Sequence, residues 1–138
     1  MSSIALDASR ASATPSDYLA VTGRVLLAAI FVLSGASKLA DPAGTIAYIE
    51  SAGLPLATFA YAAAVAVELI GGLLLIAGYQ TRIVALAIAA FSLAAAFSFH
   101  ANLADQNQFI HFFKNVAMAG GLLQVAALGS GRFGFDRR

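Results

Sequence analysis

The stretch Leu56–Tyr79, LATFAYAAAVAVELIGGLLLIAGY, decides how the rest of the chain is read. Its length suits a helix crossing a hydrocarbon core about 30 Å thick, which takes roughly 20 residues at ~1.5 Å each. Within it stands one charge, Glu68, about eleven residues from either end and so ~16 Å deep. An ionised group at that depth costs ~2.5–3.5 kcal/mol on insertion scales, and such groups face a bundle interior and find partners there. The same segment therefore predicts both a membrane span and a polar site inside the membrane.

Three further apolar runs flank it, Tyr18–Leu39, Ile83–Phe99 and Phe109–Leu128. The expected fold is all-α, an integral membrane four-helix bundle with spans at 18–39, 56–79, 83–99 and 109–128. Composition agrees: of 138 residues, 60% are apolar and 11% charged, where soluble domains average about a quarter charged. A mean hydropathy of +0.83 makes lipid the main solvent. Most soluble enzymes and binding modules are excluded, because so few charges cannot clothe a soluble surface. A net charge of +1, with no basic stripe before 132–138, supplies no field for nucleic acid. Zero cysteines exclude dithiol exchange, iron–sulfur ligation and cysteine–zinc sites.

Residues 1–17, rich in Ser, Thr, Asp and Ala, read as a disordered cytoplasmic tail. A cleavable signal ending near Ser34-Gly35-Ala36 competes with the first span, but the apolar run begins far from Met1. Residues 18–129 form the bundle and 130–138 a basic cytoplasmic tail. Four spans put both termini and the turn between spans two and three on one side, with Arg10, Arg24, Arg82, Arg132, Arg137 and Arg138. The other side holds Lys38 and Lys114. The positive-inside rule then makes the termini cytoplasmic. In the first outer loop, Asp41-Pro42 is an N-cap followed by a first-turn proline. A short interfacial helix over Ala43–Ala52 is expected, with Gly53 as its C-terminal glycine and Pro55 as a stop. Val67–Leu74 and Val116–Leu123 share a Gly-Gly-Leu-Leu ending, read as helix-packing chemistry.

Depth places Lys114 ~8 Å below the outer surface and Arg24 ~9 Å above the inner one. Either can reach Glu68, and Lys38, at the outer edge, can snorkel to the headgroups. Ala60, Ala64, Glu68, Gly71 and Gly78 share one helical face, and Lys114, Ala117, Gly121 and Gln124 another, so small or polar faces should meet in a seam. Two readings of that seam stand side by side: an ion pair that fixes register, or a polar pocket whose spare donors take a carbonyl, phenolate or lipid phosphate. His100 and His111 lie at its outer mouth with Asp105 between them. Their spacing matches no metal-ligand pattern, and they read as interfacial histidines.

The pieces Gly23-Arg24-Val25-Leu26-Leu27, Ser34-Gly35-Ala36-Ser37-Lys38-Leu39, Gly53-Leu54-Pro55, Glu68-Leu69-Ile70-Gly71-Gly72, Gly78-Tyr79-Gln80-Thr81-Arg82 and Phe113-Lys114-Asn115 together resemble the DoxX family over roughly residues 20–132. The resemblance implies a small four-span bacterial or archaeal membrane protein. Some relatives are subunits of thiosulfate:quinone oxidoreductases, and others associate with superoxide-detoxifying and sulfur-transfer enzymes. It also implies that Arg24, Lys38, Glu68, Arg82, Lys114 and Asn115 occupy recurrent polar positions. Ligand-binding residues are accordingly expected at Arg24, Lys38, Glu68, His100, Lys114 and Asn115. No covalent cofactor is expected; the expected ligand is a quinone, in an accessory subunit of quinone-linked redox or oxidative-stress chemistry. A lipid or lipophile carrier and a ligand-free scaffold are the alternatives. Expected partners are membrane lipids and a redox enzyme, with self-association left open. The chain has no flavin or nicotinamide fingerprint, so it does not read as a stand-alone enzyme.

Overall fold

The computed structural model describes residues 12–136, so expectations for 1–11 and 137–138 lie outside the described residues. Five helices follow in order: α1 (Pro15–Ala40), α2 (Pro42–Ser51), α3 (Ala57–Ala77), α4 (Thr81–Phe99) and α5 (Gln106–Leu128). Among the described residues there is no strand. α1, α3 and α4 are long and apolar enough to cross a membrane. α5 has 23 residues, but His111, Lys114, Asn115 and Gln124 dilute its apolar character.

Helix boundaries follow local chemistry. α1 starts at Pro15, three residues before the expected span, because proline suits a first turn and the Asp17 carboxylate accepts from Thr14 N at 2.8 Å. The last residues of the expected tail are thus helical. The Asp41 side chain accepts from Gly44 N at 3.0 Å and starts α2. Gly53, at φ +79°, follows α2 in the left-handed region that glycine adopts freely. This short helix lies one residue away from its expected bounds, and Asp105 caps α5 in the same way through Gln108 N.

The long helices run antiparallel, as their contacts reveal. On α1 and α3, a Cβ added to Gly35 would stand 2.9 Å from Leu69, and one added to Gly72 would stand 2.8 Å from Val32. Glycine therefore sets how closely these backbones approach. α4 and α5 meet through Phe97 and Phe112 near the α2 end, and through Arg82, which donates to Ala127 O at 2.9 Å, at the opposite end. Ala28, Phe31, Leu75, Ala85, Ile88, Ala89, Ala119 and Leu122 fill the centre. Apolar residues also point outward: Leu33 is 67% exposed and Ile83 68%. Water would penalise such a surface, whereas lipid solvates it.

The opposite end holds what the sequence did not announce. After Gly129, residues 130–136 fold back over the helix ends instead of trailing away. Arg24 donates to the carbonyls of Ser130 and Phe133, and to Ile76 O at 3.4 Å. Phe135 N and Asp136 N donate to Ala77 O and Gly78 O. The Asp136 carboxylate accepts from Gln80 N at 2.7 Å and Thr81 N at 2.9 Å. The Gln80 side chain makes no cap hydrogen bond to α4, and this distant carboxylate satisfies the free amides at the helix N-terminus instead.

Candidate functional site

Halfway along α3 the helix widens. Ala66–Ile70 form a π-turn, in which Gly71 N donates to Ala66 O. Such single turns re-aim a side chain and cluster at functional sites. Here the turn carries Glu68, which is buried. Its partner is Lys38: Nζ lies 3.0 Å from Oε1 and 2.8 Å from Oε2, and donates also to Ser34 Oγ at 3.2 Å. Side-chain exposure is 26% for Lys38 and 7% for Glu68, so the pair is largely withdrawn from solvent. The Tyr61 hydroxyl donates to Lys38 O at 3.1 Å and ties α3 to the end of α1.

The expectation that Lys114 or Arg24 would pair with Glu68 is therefore corrected. Arg24 lies at the opposite end, held by the folded-back C-terminal segment. The Lys38 ammonium goes inward to Glu68 instead of snorkelling outward, because α1 and α3 are offset along their axes. Gly35 lies against Leu69, which puts Lys38, about one turn further on, within reach of Glu68. α3 correspondingly projects beyond the end of α1 to meet α2.

Lys38 and Glu68 border a cavity of about 500 Å³ in the α2 half of the molecule. Ile30, Phe31, Phe91 and Met118 give it apolar walls, and α2 covers it with Thr45, Tyr48 and Ile49. Tyr48 stacks on Phe99, ring centroids 5.3 Å apart. Of the six residues singled out from sequence, Lys38, Glu68, His100, Lys114 and Asn115 all line this one space, and Arg24 does not. His111, first read as an interfacial residue, lines it too. Its ring stacks on that of His100 at 5.1 Å. Burial, then the neighbouring His111 and Lys114, push the His100 imidazole below its ordinary value, favouring the neutral ring.

The polar groups divide into two sets. Lys38, Glu68 and Ser34 satisfy one another, and the Ser92 hydroxyl is turned back to Ile88 O at 2.9 Å. Among the described residues, the side chains of His100, His111, Lys114 and Asn115 make no hydrogen bond to the protein. A mainly apolar space with a few unspent donors at one side is the usual form of a small-molecule site. The Lys38–Glu68 pair and the π-turn were not legible in sequence; the only available signal was Ser34, one turn before Lys38 and able to share its ammonium.

Residues 19–101 match the DoxX family. The chain is 36% identical over 121 residues to the inner membrane protein YqjF of Escherichia coli (strain K12), a match covering 88% of this chain and 92% of that protein. It is 31% identical over 125 residues to the inner membrane protein YphA of the same organism, covering 87% and 89% respectively. A shorter match, 48% identical over 61 residues and 44% of each chain, reaches a Bacillus subtilis (strain 168) protein named "Putative oxidoreductase CatD". No solved structure matches.

Proposed function

This chain belongs to the DoxX family of membrane proteins, and from that premise we propose that its α2-end cavity binds a flat, carbonyl-bearing lipophile of the quinone type. The protein then acts as an accessory subunit in quinone-linked redox or oxidative-stress chemistry. The observation that carries this reading is the cavity itself: about 500 Å³, apolar in its walls, with Lys114, Asn115, His100 and His111 offering unspent polar groups. A quinone ring suits the aromatic surface of Phe91 and Phe99, and its carbonyls accept the free donors. The oxidoreductase name of the Bacillus relative supports a redox association. Electrons come from a partner enzyme, since the chain has neither a thiol nor a nucleotide-cofactor fingerprint.

In this reading α5 is the fourth span, both termini are cytoplasmic, and the cavity opens toward the outer half of an inner membrane. Arg24, Arg82 and Arg132 at the end opposite α2 support that orientation. Titrating a short-chain quinone into the protein in nanodiscs tests the reading. Saturable binding that is lost when Ala95→Phe fills the cavity supports it. Binding only to phospholipid leaves a lipid carrier, and no ligand at all leaves a scaffold whose ion pair sets register.

A further inference from the structure

The charges around the cavity do not balance. Lys38, Glu68, His100, His111 and Lys114 face it, with the Tyr48 phenol beside them. Lys38 and Glu68 neutralise each other across 2.8 Å. Glu68 is the one carboxylate in the cavity lining, and Lys38 engages both of its oxygens. Burial, then the neighbouring His111 and Lys114, disfavour a charge on His100. Lys114, exposed at the edge of this apolar space, thus faces no unpaired carboxylate among the lining residues.

Resting on the quinone reading, we infer that the preferred occupant carries an anionic oxygen, which Lys114 receives: a hydroxyquinone or phenolate-bearing lipophile in its ionised form. Asn115 and the two imidazoles offer neutral hydrogen bonds that any carbonyl ligand can use, so they do not discriminate by charge. Lys114 does. Lys114 is itself exposed, so its contact with a ligand anion is partly screened and is worth about ten-fold in affinity over a neutral ligand of the same shape. The Lys38–Glu68 pair adds no such preference, because its two charges act oppositely on an incoming anion.

Two probes separate charge from shape: a 2-hydroxy-3-alkyl-1,4-naphthoquinone, ionised at pH 8, and its neutral 2-methoxy ether. Calorimetric titration in nanodiscs of uncharged lipid should give about ten-fold tighter binding of the hydroxy compound to the unaltered protein. Lys114→Met should abolish that ratio, weakening the hydroxy compound by about ten-fold more than the ether, and Lys114→Arg should keep the ratio. Equal affinities in the unaltered protein, or a ratio that survives Lys114→Met, overturn the inference while the quinone reading stands. Failure of both probes to bind overturns the quinone reading and this inference with it. Retained binding of the ether by Lys114→Met also reports that the variant is folded.

Discussion

Lys38 and Glu68, thirty residues apart in sequence, meet at 2.8 Å through a π-turn in α3 and a glycine contact between α1 and α3. The pair couples helix register to cavity shape, since both residues also line the cavity. A charge left alone there has little water to turn to, so the two residues are worth more together than apart.

Removal of one partner should therefore cost more than removal of both. Lys38→Met or Glu68→Gln alone should lower stability in detergent by ~3 kcal/mol, and the double variant by clearly less than the sum. Arg24→Met combined with Glu68→Gln should be additive, because Arg24 holds the C-terminal segment and does not contact Glu68. Thermal melts of the six proteins, the unaltered chain included, measure both cycles. Coupling of Glu68 to Arg24 instead of Lys38 would contradict the observed pairing.

Gly35→Ala should be costly for a backbone reason. The added Cβ would stand 2.9 Å from both the Cβ and the backbone nitrogen of Leu69. A backbone atom cannot swing aside as a side-chain end can, so α1 and α3 must separate. A loss of roughly 1–3 kcal/mol is expected. Gly120→Ala, with nothing within 4 Å of its added Cβ, should be close to neutral. Comparable effects from the two substitutions would remove the close-approach argument.

Much of this arrangement was legible in advance, and the reason is lipid. The apolar runs marked each long helix to within a few residues, and the Asp41-Pro42 pair marked α2, because caps and first-turn prolines act locally. Five of the six polar residues singled out as ligand-binding share the cavity, since polar groups in an apolar medium are driven to common interiors. Partner choice was not legible. It depends on the axial offset of α1 against α3, a property of the packed pair that neither helix carries alone. The folded-back segment was hidden for a related reason: Asp136 acts as a cap for Thr81 across a long stretch of chain, and no local pattern records it.

That distant cap has a pH signature. Hydrogen bonding from Thr81 holds the Asp136 carboxyl below its ordinary value; Gln80 N–H and the Arg24 charge act the same way, and burial opposes them. With the folded value depressed, the stabilisation is present above the unfolded carboxylate value near 4 and is lost as pH falls through the folded one. Asp136→Ala should thus cost about 1 kcal/mol at neutral pH. Melts repeated down to about pH 3 should narrow the gap between the two proteins. A gap that stays constant on acidification would mean that the carboxylate charge contributes nothing.

The proposed topology makes a clear accessibility prediction, helped by the lack of native cysteine. Cysteines introduced at Ser51 and Gln106 should react with an impermeant maleimide in intact cells. A cysteine at Phe135, whose side chain is exposed, should react only after the membrane is opened. The reversed pattern would invert the orientation, and labelling of Ser51 without Gln106 would deny that the α4–α5 loop shares a side with α2.

The central claim is that a quinone-like ligand occupies the space beside Lys38, Glu68 and Lys114, and photolabelling with an azidoquinone tests it most directly. In native membranes the label should attach to peptides carrying cavity-lining residues such as Phe91, Phe99 and Met118. Excess unlabelled quinone should compete it away, and Ala95→Phe should prevent it. Label spread over lipid-facing residues such as Leu33 and Ile83, or label that unlabelled quinone fails to displace, would contradict the account.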